Sequence, residues 1–318
     1  MEAQVPRRRI GKLGWLALIV VGAALILFAA RDRVRESYGL TLLDRADQVL
    51  NGSGDSRAAL VDGRYGPLAA NRVDVIVPSA LAQTPRPIVI FIHGGGWNSG
   101  NPGDYHFIGR TLARAGYVVV LPGYRLTPAG VWPHMLEDAA KAVAWTRANA
   151  SRFGADPDRI VLMGHSAGAY NAVQIALERQ WLGREGVPDG VIKGAIGLSG
   201  PYDFYPYKRE STRTTFGHVQ PPQAALPTHF VRADAPPLLL ITGDADATVN
   251  PRDTRTLADA MHAVGGRAEA LYIRGAGHDD TVKKFAAPFS RDRRVLDPVL
   301  TFLAAHTVPS APVQQASR

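Results

Sequence analysis

The sequence contains no cysteine. That removes disulfide frameworks, thiolate-ligated zinc, iron–sulfur clusters and any thiol nucleophile from the available chemistry, while leaving the redox compartment open. Lysine is scarce as well: it supplies 6 of the 36 basic residues, and arginine supplies the rest of a formal net charge of +8. This excess does not form a nucleic-acid footprint. Residues 1–45 carry eight basic and four acidic residues. Half of the imbalance therefore sits in one seventh of the chain, and no basic stripe interleaved with aromatics follows it. The 32 glycines and 23 prolines have no period, which excludes collagen-like and low-complexity organisation. No two histidines have the spacing that places metal ligands on one helix face, so no metal site is expected.

Apolar material is plentiful, at 46% of 318 residues, enough for a core that needs no staples. The longest apolar run, residues 13–30, is interrupted only by Gly14 and Gly22. As a helix it would reach roughly 27 Å, close to the thickness of a bilayer's hydrocarbon core, and it would be apolar on every face. Arg7, Arg8, Arg9 and Lys12 precede it, and Arg31, Arg33 and Arg35 follow. A signal peptidase needs small residues at −3 and −1. Cleavage after Ala29 or Ala30 would put Leu27 or Phe28 at −3, so residues 1–35 read as a basic segment and an uncleaved transmembrane signal anchor. Secretion after cleavage is the alternative. The basic flanks lean towards a cytoplasmic N-terminus and a domain on the far side of the membrane. No second run of spanning length occurs.

Residues 36–72 are polar with scattered apolar positions and read as a linker or partial cap, broken by a flexible glycine–serine stretch at 51–56. From residue 73 the pattern changes. Short β-branched runs at 73–77, 88–92, 117–121, 160–163, 192–198, 238–242 and 270–273 read as strands. Most are separated by helical stretches at 103–115, 133–153, 167–178 and 251–264, and a last helix is expected at 292–304. Wholly apolar strands alternating with helices imply a mostly parallel central sheet with helices on both faces, an α/β class. This catalytic domain is placed at 73–306, and residues 307–318 read as a disordered tail.

Four segments carry chemistry. The first is Gly164-His165-Ser166-Ala167-Gly168, which follows one strand and opens a helix. A serine between two glycines there can occupy a tight strand-to-helix turn that exposes its hydroxyl as a nucleophile. The second, His93-Gly94-Gly95-Gly96-Trp97, also follows a strand. Its glycines leave backbone N–H groups free to face a developing oxyanion, with Gly94, Gly95 and Ala167 as the expected donors. His93 is expected to brace this loop. The third segment ends a buried strand at Gly243 and delivers Asp244 and Asp246. Asp246 is the expected acid, since Asp244 lies nearer the strand end, where it can cap the turn. The fourth ends a strand in a glycine-rich loop carrying His278. His278 would take the Ser166 proton while the aspartate fixes its tautomer.

With these segments in place, residues 73–305 resemble α/β-hydrolase esterases of the hormone-sensitive-lipase and bacterial carboxylesterase group. The resemblance includes His93–Trp97, then Tyr124-Arg125-Leu126-Thr127-Pro128 with Pro133 and Asp138, then Asp156-Pro157-Asp158-Arg159-Ile160 leading into the Ser166 turn. It implies the α/β-hydrolase fold, Ser166, Asp246 and His278 as a triad, and Gly94, Gly95 and Ala167 as the oxyanion hole. It also implies no cofactor, a small-molecule ester substrate and an acyl-enzyme. Lipases of that group usually carry Asp before the serine. His165 is more typical of related esterases and arylformamidases, so formamide hydrolysis is the nearest alternative and a non-catalytic binding protein a remote one. The connection 199–236 is expected to line the substrate site. Together with the anchor, this reading puts the enzyme at a bacterial inner membrane, facing the periplasm.

Overall fold

The computed structural model describes residues 31–308 apart from Ser53. The apolar run at 13–30 and most of the expected tail lie outside them. Among the described residues no helix is long and apolar enough to cross a membrane.

Eight strands form one sheet: β1 (Ser56–Arg64), β2 (Arg72–Pro78), β3 (Arg86–Ile92), β4 (Val118–Pro122), β5 (Ala155–His165), β6 (Ile192–Leu198), β7 (Leu238–Gly243) and β8 (Ala268–Ile273). Their order is β1-β2-β4-β3-β5-β6-β7-β8. β2 pairs antiparallel with both β1 and β4, and every other pairing is parallel. The period-2 geometry of the strands explains why they read as unbroken apolar runs. Ile88, Ile90, Ile160, Leu162, Leu238 and Leu240 feed the core on one face, whereas Val89, Phe91, Val161, Met163, Leu239 and Ile241 feed the core on the other.

The helices are α1 (Arg31–Asn51), α2 (His106–Arg114), α3 (His134–Asn149), α4 (Ala167–Leu177), α5 (Arg179–Arg184), α6 (Glu210–Phe216), α7 (Pro251–Ala263), α8 (Asp280–Lys283) and α9 (Leu296–His306). All seven expected strands and the five expected helical stretches appear, all but the strand at 192–198 with shifted ends.

The linker reading of 36–72 is corrected: the segment carries most of α1 and the edge strand β1. Charge explains why α1 escaped the apolar pattern. Its inward positions are Leu40, Leu43 and Asp47, all buried at helical spacing, and Asp47 is fully enclosed. The Asp47 carboxylate accepts from Arg110 Nε (2.8 Å), Ala287 N (2.8 Å) and Asn51 Nδ2 (2.9 Å). A helix docked by an ion pair shows little apolar periodicity. β1 pairs with two register shifts and contains Gly63, the irregularity expected of a protected edge. At the other end, Thr307 belongs to the domain. It is buried, its hydroxyl donates to Leu303 O (2.7 Å), and its carbonyl accepts from Arg159 Nη1 (3.0 Å).

Candidate active site

The carboxyl ends of β3, β5, β7 and β8 deliver the four chemical segments to one edge of the sheet, as parallel strands with crossover helices require. Ser166 follows β5 directly at φ 53°, ψ −121°, a strained conformation for a residue with a side chain, and α4 starts at the next residue. Two glycines make this turn possible. A Cβ on Gly164 would collide with the Gly168 carbonyl, and a Cβ on Gly168 would collide with the carbonyls of Ile92 and His93. Gly168→Ala is therefore expected to cost more than about 3 kcal/mol or to prevent folding. Urea denaturation checks this, and a wild-type midpoint would contradict the close approach of β3 and α4.

The structure brings Ser166, His278 and Asp246 into one hydrogen-bonded chain. His278 Nε2 lies 2.9 Å from Ser166 Oγ, and His278 Nδ1 lies 2.8 Å from Asp246 Oδ2. Asp246 Oδ1 accepts from Thr248 N (2.8 Å) and Val249 N (2.9 Å), so the whole carboxylate is held. Burial alone would raise the Asp246 pKa. The bond and charge of His278, followed by the two amides, outweigh burial and keep the carboxylate below its ordinary range. Asp244 points elsewhere: its Oδ1 accepts from Gly275 N at 2.7 Å on the exposed side of the loop.

The backbone of the histidine loop is gripped by residues that no motif marked. The His278 carbonyl accepts from Ser199 Oγ (3.1 Å) and Thr281 Oγ1 (3.2 Å), and it lies 3.3 Å from His165 Nε2. His165 is buried, and burial followed by the neighbouring His278 keeps its pKa well below the usual imidazole range. Sequence reasoning missed Ser199, Thr281 and Tyr105, because single polar residues after a strand or in a short helical turn carry no pattern. Among the described residues, His165, His278 and Asp279 form a group whose potential metal-donor atoms lie within 4.8 Å of one another. Both nitrogens of His278 are already engaged, so a cation there would have to displace Ser166 or Asp246.

The donor loop corrects one expectation. Gly94 N donates to the buried Tyr105 hydroxyl at 3.2 Å, because Gly94 still continues the line of β3 and its amide faces inward. The loop turns only afterwards, at Gly95 (φ 110°) and Gly96 (φ 57°). A Cβ at Gly95 would collide with Ser99 O. With the Gly94 amide engaged by Tyr105, Gly95, Gly96 and Ala167 are left as the candidate oxyanion donors.

His93 braces this loop as expected. Its ring stacks on Tyr124 (centroids 4.4 Å apart), whose hydroxyl donates to the His93 carbonyl at 3.1 Å, while His93 Nδ1 lies 2.8 Å from Gly94 O. Arg125, next in the chain, grips the fully buried Asp138 through Nε (2.7 Å) and Nη2 (3.0 Å), which fixes the Tyr124–Pro128 segment.

Burial lowers the His93 pKa from 6.5 to about 4. The folded state keeps this ring neutral where the unfolded chain protonates it. Its contribution to stability is complete above pH 6.5 and is lost as pH falls towards 4, at up to about 1.4 kcal/mol per pH unit. Asp253, pushed up to about 7 by burial, titrates with the opposite sign over much of this range. Comparison with a variant isolates the histidine. The stability difference between wild type and His93→Gln should shrink by roughly 2 kcal/mol from pH 7 to pH 4.5. A difference independent of pH would refute the assignment.

Ser166 and His278 open into a cleft of about 520 Å³, within the range of small-ligand sites. Gly94–Gly96 form one wall. Pro201, Phe204 and Tyr205 from the 199–236 connection form another, so that connection lines the cleft. Leu40 of α1 also lines it.

The BD-FAE family profile matches residues 73–261, more than half of the chain. The chain belongs to the BD-FAE family. Among curated relatives, isoprenylcysteine alpha-carbonyl methylesterase ICME of Arabidopsis thaliana is 32% identical over 237 residues, covering 68% of this chain and 55% of that protein. Esterase LipC of Mycobacterium tuberculosis is 30% identical over 237 residues, covering 67% and 58%. The chain thus spans a little over half the length of these relatives. Thermogutta terrifontis esterase 2, in a form phosphonylated by cyclosarin, superposes with a TM-score of 0.66 and 25% identity, over 80% of this chain and 96% of that one. A truncated carbohydrate esterase from gut microbiota shares the fold, with a TM-score of 0.65, 21% identity and coverage of 79% and 96%. The fold is that of an α/β-hydrolase.

Proposed function

We propose that this protein is a serine hydrolase that cleaves small or medium carboxylic esters through an acyl-enzyme. The reading rests chiefly on the unbroken hydrogen-bond chain Ser166–His278–Asp246 at the floor of the cleft. Its esterase relatives support the choice of bond.

In this mechanism His278 Nε2 takes the Ser166 proton as Oγ attacks the ester carbonyl. The Asp246 carboxylate, already bonded to Nδ1, stabilises the resulting imidazolium and keeps the proton-accepting nitrogen turned towards Ser166. The Gly95, Gly96 and Ala167 amides receive the charge that develops on the carbonyl oxygen. His278 then returns the proton to the departing alkoxide, and a water activated by the same nitrogen releases the acid. ICME is named for a methyl ester of a prenylated cysteine; for this chain we carry over only the carboxylic ester.

A p-nitrophenyl ester chain-length series run beside formanilide and N-formylkynurenine tests the reading. Acetate to butyrate esters should exceed the formamides in kcat/KM by at least about tenfold, or roughly 1.4 kcal/mol in transition-state binding. Formamide turnover without ester turnover would reverse the assignment. We also propose that residues 13–30 anchor the domain to a bacterial inner membrane on its periplasmic side. Membrane fractionation with N-terminal sequencing checks the anchor, and protease added to spheroplasts checks the side.

A further inference from the structure

We propose that α1 fixes the mouth of the Ser166 cleft against a lipid bilayer, so that the substrate is an amphiphilic carboxylic ester taken from the membrane surface. The proposal rests on the ester-hydrolase reading above and extends it to where the substrate resides.

The direction of α1 carries the argument. Three sets of contacts lay it antiparallel to α2. Arg114 Nη2, at the end of α2, donates to Gly52 O just past α1 (2.7 Å). Midway, Arg110 binds Asp47 Oδ2 through Nε (2.8 Å) and Asp44 Oδ1 through Nη2 (2.8 Å). At the other end, Thr41 Oγ1 donates to Asp104 Oδ1 (2.7 Å) just before α2 begins. α2 runs from the cleft, which Asp104 and Tyr105 line, towards the start of β4. α1 therefore climbs the opposite way, with its N-terminal end leaving the domain on the catalytic face. Leu40 marks the level of the cleft, where it is buried in the wall.

Nine residues separate Leu40 from Arg31, a rise of about 14 Å along a helix. The apolar run of residues 13–30 ends immediately before Arg31. A bilayer that holds this run thus lies on the side to which the cleft opens, about one helix segment away. Had α1 docked in the reverse direction, the same run would have held the cleft on the far side of the domain from the membrane.

The rim of the cleft fits such a surface independently. Lys208, Arg209 and Arg252 line it and are exposed, and Tyr205 beside them is 53% exposed. Basic side chains and an amphipathic aromatic are the groups that settle at an anionic head-group layer.

The test uses the full chain in vesicles of phosphatidylcholine and phosphatidylglycerol. Its variant carries a rigid spacer of twenty prolines between Ala30 and Arg31. At about 3.1 Å per residue the spacer lifts the cleft roughly 60 Å from the bilayer. Wild type should float with the vesicles and cleave both aqueous p-nitrophenyl acetate and vesicle-dissolved 4-methylumbelliferyl decanoate. The spacer variant should cleave the acetate at the wild-type rate and the decanoate at about one tenth of it or less, because its cleft can no longer reach the surface. Equal decanoate rates for the two proteins, or a wild type that does not float, would overturn the proposal. If wild type cleaves neither ester, the hydrolase reading itself falls, and this proposal with it.

Discussion

Ser166→Ala should lower kcat for p-nitrophenyl acetate by about 10⁵–10⁶-fold while leaving the fold intact. Among the described residues the Ser166 side chain makes one hydrogen bond, to His278 Nε2, and its hydroxyl lines the cleft as the proposed nucleophile. Removing the oxygen strips His278 of the proton it would accept and removes the atom that would carry the acyl group. The Gly95, Gly96 and Ala167 amides and the cleft itself remain, so some acceleration over water should persist. Alanine replaces one L-residue with another at φ 53°, so the strain of the turn is unchanged and the thermal midpoint should move little. A serine-directed organophosphate adds a second readout. Intact mass should show one adduct on wild type and none on Ser166→Ala. Turnover near the wild-type rate in a preparation free of contaminating esterase would remove Ser166 from the mechanism.

For Asp246→Asn the expected loss in kcat is about 10⁴-fold. Asn can still accept from Thr248 N and Val249 N through its oxygen, which leaves its amide nitrogen facing His278 Nδ1. An N–H donor at that point favours the tautomer with its proton on Nε2, and this tautomer cannot take a proton from Ser166. The neighbouring Asp244 is the control. Its carboxylate accepts one bond, from Gly275 N, which Asn can also accept, so Asp244→Asn should keep activity within about twofold and act mainly on stability. Measuring kcat and urea midpoints for both variants separates the two aspartates. The opposite ranking would move the acid assignment to Asp244 and leave the Ser166–His278 pair standing.

The sequence by itself determined the parts of this protein that local chemistry dictates. Apolar runs of four to seven residues had to become strands, most of them buried on both faces, and a serine between Gly164 and Gly168 after such a run had to sit in a turn where only glycines fit on either side. The order of donor loop, serine, aspartate and histidine along the chain then implied where strand ends would meet, because parallel strands deliver their carboxyl ends to one edge. Tertiary structure decided what depends on which groups face each other across long separations. Asp244 and Asp246 are both carboxylates on one loop; distance from the strand end favours Asp246, and the approach of the His278 loop is what joins it to the imidazole. Gly94, Gly95 and Gly96 are identical residues, and it is Tyr105, eleven positions beyond Gly94, that takes the first amide before the loop turns at the next two. The docking of α1 rests on Asp47 meeting Arg110 sixty-three positions away, a charge pair that leaves no periodic apolar trace. That contact sets the direction of the helix, and the direction sets which face of the domain lies towards the N-terminal apolar run.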